Sequence, residues 1–280
     1  MAVFLFPVYC LGWLLLLACS RAMNAPTPTY PQTVEVDLIF PRNETYAPVP
    51  LTPFVFAVQN FHVSKPLYLH FSYSVEQDPY IDAPSAGGHL YLDKANFSSS
   101  DPYFIYGWTP KLNNTEATWR FIWEWSAGNC SRSKNPVEPL EFGSVGRRNI
   151  IHFTTKNGAK QLDLVAATQD GTCDKSQAHT LNITEVLDVP SGTRYYNNQP
   201  LCPLLSTITP TPDPCGAKID SAAASSISYA IQSSACIGGA SPNVTCPPGV
   251  EPWSSARRTT EFSTGAVLLV ATVAWLIHMI

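Results

Sequence analysis

Charge is scarce in this 280-residue chain: 14% of residues are charged against 45% apolar, and the formal net charge is −4. Lys and Arg never cluster beyond adjacent pairs, so no basic face exists to displace counterions from phosphates, and a nucleic-acid partner is excluded. Long apolar runs are missing except at the two ends, which excludes a polytopic transporter. Gly-x-Ser-x-Gly, His-Glu-x-x-His and a phosphate loop do not occur, and Gly143-Ser144-Val145-Gly146 lacks the lysine such a loop needs. No Cys-x-x-Cys pair occurs and the six histidines are scattered singly, so neither a metal nor a cofactor is expected. His70 alternates with apolar neighbours and reads as a solvent-facing strand residue. A copper-dependent polysaccharide oxygenase would need a histidine at its processed N terminus, whereas the start expected here is Met23-Asn24.

The two apolar ends read as processing signals. Residues 3–18 are apolar, with Leu14 to Leu17 at their centre, and Ser20-Arg21-Ala22 follows as a small-x-small cleavage site, so residues 1–22 are expected to be a signal peptide. From Gly265 to Ile280 a second apolar stretch covers about 24 Å as a helix, short of a hydrocarbon core of roughly 30 Å. Ser254-Ser255-Ala256 and a polar spacer from Arg257 to Thr264 precede it. Small site, spacer and apolar tail together predict attachment of a glycosylphosphatidylinositol (GPI) lipid at Ser254, with 247–264 as stalk and spacer and 265–280 removed. The expected location is the outer leaflet of the cell membrane or the cell wall, with the membrane as a partner through the lipid.

Removing the signal peptide leaves Cys130, Cys173, Cys202, Cys215, Cys236 and Cys246, an even number that reads as three disulfides in an oxidising compartment. Six Asn-x-Ser/Thr acceptor patterns, at Asn43, Asn96, Asn113, Asn129, Asn182 and Asn243, predict a glycoprotein whose acceptor residues face solvent.

Between the ends, periodicity predicts strands. Leu67, Leu69, Phe71, Tyr73 and Val75 alternate with His70, Ser72 and Ser74, the period of two that puts one face in a core. Further strands are expected over 34–40, 54–61, 89–92, 103–108, 118–125, 150–155, 161–167 and 180–187, bounded by Pro, Gly and Asn. Without intervening amphipathic helices, they predict an all-β fold over 30–190: an immunoglobulin-like antiparallel β-sandwich. Trp123 precedes Cys130 and Cys173 rather than lying between them, unlike the antibody pattern. Glu35 and Asp37 flank Val36 on what reads as the polar face of the first strand.

After Pro200 the texture changes, and 191–246 reads as a disulfide-linked Thr/Pro segment followed by an Ala/Ser-rich helix. Ile219, Ala223, Ile227 and Ile231 recur every four residues, an apolar stripe that would lie against the sandwich. Order and proximity suggest Cys130 with Cys173. A helix would hold Cys215 away from Cys236. The alternatives left are Cys202 with Cys215 plus Cys236 with Cys246, or a crossed arrangement in which Cys202 takes Cys236 or Cys246.

The opening Pro31-Gln32-Thr33-Val34-Glu35-Val36-Asp37-Leu38-Ile39-Phe40-Pro41, with Tyr46-Ala47-Pro48 and 53–60, resembles a family of fungal secreted proteins built on one extracellular domain of unknown function. The stretch from Cys215 to Cys236 is similar to the end of that domain, so the resemblance covers roughly 30–246. It implies a fungal surface protein with a signal peptide and a GPI-type tail, and it supplies no catalytic residues.

Two functional readings follow. Aromatic residues crowd into 103–125, where Tyr103, Phe104, Tyr106, Trp108, Trp119, Trp123 and Trp125 lie, and aromatic faces are what sugar rings stack on. Trp119, Phe121, Trp123 and Trp125 share one strand face and are expected in the core. Tyr106, Trp108, Tyr195 and Tyr196, in or near loops, are the candidates for glycan contact. The first reading is therefore a noncatalytic GPI-anchored glycoprotein with a structural, adhesive or glycan-binding role, and cell-wall polysaccharide as candidate partner. A secreted wall-polysaccharide hydrolase is the alternative; it would use a carboxylate pair drawn from Asp78, Asp82, Asp93, Glu124, Glu138 and Glu141. Glu124, between Trp123 and Trp125, reads as an outward-facing strand residue.

Overall fold

A computed structural model describes residues 28–79, 86–193, 199–239 and 244–251. The expected signal peptide, Asp82, Tyr195, Tyr196, Asn243, Ser254 and the apolar tail lie outside the described residues. Among the described residues no helix is long and apolar enough to cross a membrane.

The described residues hold ten strands in two five-stranded sheets. Sheet A has the order β10(Leu201–Leu205), β9(Ala178–Asp188), β1(Gln32–Phe40), β3(Thr52–Gln59), β6(Tyr103–Thr109). Sheet B has the order β2(Thr45–Tyr46), β8(Leu140–Thr155), β7(Ala117–Arg132), β4(His70–Asp78), β5(Ala86–Tyr91). All pairings are antiparallel except the short β2–β8 contact, which is parallel. The fold is thus an all-β sandwich with one longer helix, α2(Ser221–Ile237), near the C terminus.

The sheets meet through aromatic rings supplied by alternating positions. Phe54 of β3 stacks on Phe121 of β7 at 4.8 Å, and Phe56 packs against Trp123 at 5.5 Å and Phe71 at 5.2 Å. Trp119, Phe121, Trp123 and Trp125 are all buried, as their shared strand face predicts. Tyr73 fills the space between the sheet edges: a Cβ on Gly107 would come within 2.2 Å of its hydroxyl oxygen, and one on Gly88 within 2.7 Å. Bare glycine backbone on β5 and β6 is what lets that ring lie there.

Sheet A is covered on its outer face as well. This explains why Phe54-Val55-Phe56-Ala57-Val58 is an unbroken apolar run in which every residue is fully buried. Helix α2 packs over the β6 side, with Ile227, Ile231 and Ala235 buried beneath it, on the stripe its four-residue period predicts. Asp220 caps the helix by accepting from the Ala223 amide at 2.7 Å. Residues 206–220 run as a strap over β9 and β1. The Thr180 hydroxyl donates to the Pro210 carbonyl at 2.7 Å, and the Ile219 amide donates to Thr168 Oγ1 at 2.9 Å.

Two local expectations need correction. The strand expected over 161–167 is the short helix α1(Leu164–Ala167), because Asp163 Oδ1 accepts from the Ala166 amide at 2.9 Å and so nucleates a turn. The segment after Pro200, read as lying outside the sheet, begins with β10, whose Cys202 pairs with Leu187 of β9.

The disulfides are Cys130–Cys202, Cys173–Cys215 and Cys236–Cys246. The expected Cys130–Cys173 bridge does not form, nor does Cys202–Cys215; Cys236–Cys246 does. The reason is strand length. Cys202 sits opposite Leu187 of β9, whereas Cys173 precedes the start of that strand at Ala178. Nine strand residues separate the two places by about 30 Å, far beyond the span a disulfide bridges. Cys130–Cys202 therefore links the two sheets, Cys173–Cys215 ties down the strap, and Cys236–Cys246 holds the chain after α2.

Cys130 and Cys202 are 72 residues apart, and closing so long a loop removes much unfolded-state entropy. Replacing both by alanine is expected to lower unfolding free energy by about 4 kcal/mol, read as a drop in the urea midpoint.

Candidate functional site

Among the described residues one face of the sandwich is left uncovered: the outer face of sheet B. The register places its side chains in rows across the strands. Tyr91, His70, Ser126 and Gly146 form one row; His89, Ser72, Glu124 and Arg148 the next; Gly87, Ser74, Ile122 and Ile150 the third. Small residues in the middle of these rows leave a depression of about 360 Å³, lined by Ser72, Ser74, Gly88, His89, Glu124 and Arg148 among others, with buried Ile122 as floor.

The His89 ring lines this depression on the β5 side, and the His70 and Tyr91 rings lie in the adjoining row. His70 stacks on Tyr91 at 4.6 Å and lies 5.4 Å from the His89 ring, nearly parallel to it. Tyr91 is 64% exposed and Ile150 47%, so the face offers apolar surface to solvent beside its polar groups. Burial lowers the His70 pKa, the nearby His89 adds to that, and Glu124 opposes both. Hydroxyls, an imidazole, a carboxylate and a guanidinium beside exposed ring surface suit a hydroxyl-rich ligand: the rings take C–H faces and the polar groups take hydroxyls.

Glu124 is exposed, as its alternation with Trp123 and Trp125 predicts. Among the described residues it does not find a second carboxylate at the separation glycosidases use. Glu76 is the next acid inward on this face, four residues along β4 from Ser72, the partner of Glu124. That is a separation of about 13 Å, beyond the roughly 5–9.5 Å that glycosidases use. Glu76 is moreover paired with Arg120, and Asp78 with His152 at 3.4 Å. Asp93 follows β5, while Glu138 and Glu141 lie at the exposed β7–β8 hairpin end.

The carboxyls that do meet are Glu35 and Asp37, and the expectation that they lie on an open polar face needs correction. The strap covers them, leaving Glu35 7% and Asp37 0% exposed. Gln59 Nε2 donates to Asp37 Oδ2 at 2.9 Å and to the Asp213 carbonyl at 2.8 Å, while the Asp213 amide donates to Glu35 Oε2 at 2.9 Å. Glu35 Oε1 and Asp37 Oδ1 are buried with no donor supplied by another group, and the two carboxyls lie close enough to share a hydrogen bond once one of them is protonated. Burial, then the neighbouring Glu35, push the Asp37 carboxyl up to about 9. The pair is a structural clasp under the strap, closed to a substrate.

The aromatic candidates fall elsewhere. Tyr106 and Trp108 are half-buried on β6, on the sheet A face that α2 covers, and Trp108 Nε1 donates to Ser234 Oγ of α2 at 3.3 Å. Trp108 supports the helix, and both residues lie within a strand rather than in a loop. His179 is packed between Trp123 and Trp125, and burial lowers its pKa to about 4, with Arg147 adding to the effect. Of the sequons, Asn43 and Asn96 are exposed, whereas Asn113, Asn129 and Asn182 are half-buried. Asn129 Oδ1 accepts from the Leu205 amide at 3.3 Å beside bridged Cys130, and Asn182 Nδ2 donates to the Ile208 carbonyl at 3.4 Å. Asp170, Cys173 and Cys215 come together, but the two sulfurs are bonded to each other and Asp170 is paired with Lys218, so they offer no thiolate to a metal.

Residues 29–246 match the family model described as "Domain of unknown function (DUF7136)", and the chain belongs to that family. No curated protein and no solved structure matches the chain.

Burial and Glu35 push the Asp37 carboxyl from its ordinary 3.8 up to about 9 in the fold. Between these values folding takes up a proton, so its contribution is fully present below pH 4 and lost as pH rises toward 9. Asp37→Asn keeps a hydrogen for Glu35 Oε1 without that uptake. It is expected to flatten the fall in stability between pH 5 and 8 and to gain on the order of 1–3 kcal/mol at pH 8, measured by urea unfolding.

Proposed function

We propose that the protein is a noncatalytic cell-surface or cell-wall glycoprotein, exported with its signal peptide removed, held by a GPI lipid, and binding glycan through the outer face of sheet B. The observation that carries the glycan reading is the row His89, Ser72, Glu124 and Arg148 beside the exposed Tyr91 ring. It combines hydrogen-bonding groups with ring surface around a depression floored by Ile122. Three disulfides and the solvent-exposed Asn43 and Asn96 fit an oxidising, glycosylating route. Wall polysaccharide of a fungal surface is the ligand class of choice, and the contacts belong on this face rather than on half-buried Tyr106 and Trp108, the latter bonded to α2.

The test mixes the secreted protein with insoluble glucan, chitin and mannan, scoring depletion from solution and release of soluble sugar. Depletion without release is expected for at least one polymer. Tyr91→Ala should weaken it several-fold to about tenfold, with Trp108→Ala near wild type. Sugar release would overturn the noncatalytic reading, and an unchanged Tyr91→Ala variant would overturn the choice of face. Release from cells by a phosphatidylinositol-specific phospholipase checks the anchor.

A further inference from the structure

The histidines on β4 and β5 are brought together in a way that glycan contact does not require. His70 pairs with Tyr91 and His89 with Ser72, so the two imidazoles are diagonal neighbours on one face. His70 Nε2 and His89 Nδ1 stand 3.2 Å apart. Two imidazole nitrogens bound to one metal ion at about 2.0–2.1 Å, with a near-tetrahedral angle between them, stand roughly 3.2–3.4 Å apart. The separation admits a shared cation once the rings turn toward a common point, and it equally admits an N–H···N hydrogen bond.

The surroundings hold the rings in that arrangement. The two imidazoles are within 13° of parallel, and Tyr91 stacks on His70. Ser126 Oγ lies 3.4 Å from His70 Nδ1, the second ring nitrogen. A proton on Nδ1 shared with that oxygen leaves the Nε2 lone pair free, which is the tautomer a metal ligand requires. His89 also lines the depression, so coordination positions not filled by the histidines face solvent.

We propose that His70 and His89 form a two-histidine site for a transition-metal dication, Cu²⁺ or Zn²⁺, at the β4–β5 edge of this face. Imidazole suits both ions, and the general affinity order places Cu²⁺ above Zn²⁺. Without a cation the same approach is an N–H···N hydrogen bond, so the fold does not depend on the metal and binding is reversible. The site stands on ring geometry alone and does not rest on the glycan reading.

The test titrates the untagged full chain, stripped with chelator, with Cu²⁺ and separately with Zn²⁺ in a calorimeter, and records the Cu²⁺ electron paramagnetic resonance spectrum. One equivalent of each ion, Cu²⁺ the tighter, and nitrogen couplings from two ligands are expected. His70→Ala and His89→Ala should each weaken binding by about tenfold or more. His152→Ala, which removes the histidine paired with Asp78, should leave it unchanged. His89 is exposed, so its variant decides the matter even where loss of His70 disturbs β4, with circular dichroism as the check on folding. Absence of saturable binding, or undiminished binding in the folded His89→Ala variant, would overturn the site. Metal binding without polysaccharide depletion would count against the glycan reading alone.

Discussion

Contact between the aromatic rows of β3 and β7 is the constraint on which the rest of this structure depends. Phe54 and Phe56 of sheet A reach across to Phe121 and Trp123 of sheet B, and strand alternation then dictates what every other side chain on β7 does. Once Trp119, Phe121, Trp123 and Trp125 are committed inward, Arg120, Ile122, Glu124 and Ser126 must face out. The pairings of β7 with β4 and β8 carry that choice across sheet B. The open face, with its depression and its stacked rings, is the reverse side of the core.

Sheet A resolves the opposite problem. Its β1 and β3 strands are apolar on both faces or carry carboxyls that are buried, so a second cover is required. Helix α2 supplies it over β6, and the strap supplies it over β1 and β9, secured by Cys173–Cys215. The cover brings an electrostatic cost with it. Glu35 and Asp37, ordinary strand residues by pattern, become a proton-sharing pair because the strap excludes water while Gln59 and the Asp213 backbone take the remaining oxygens.

Most strands were legible because one-sided burial writes itself as alternation. Leu69, Phe71 and Val75 are buried while His70, Ser72 and Ser74 are not, and the Ile227 and Ile231 stripe marks the buried side of α2. The region 161–167 misled because a short apolar run fits a strand and a capped turn equally, and Asp163 decides for the turn. Double-sided burial of 54–58 had a signal, the absence of alternation. The candidate site was less legible. Its rings come from β4 and β5, where no aromatic crowding draws attention, and the crowded segment 103–125 is spent on the core and on the bed of α2.

Local chemistry along the chain determined the strand periods, the helix with its Asp220 cap, the six cysteines and the inward row of tryptophans, because each depends on residues near one another in sequence. Pairing across distance was decided only by the tertiary structure. Cys130 meets Cys202 rather than Cys173 because β9 is long, Asp37 is dry because a strap 176 positions away in the chain crosses it at Asp213, and His70 meets His89 because one register aligns β4 with β5. Burial, proton affinity and ring-to-ring distance are properties of neighbours in space, and which residues become neighbours is set by strand order and register, which the linear pattern does not encode.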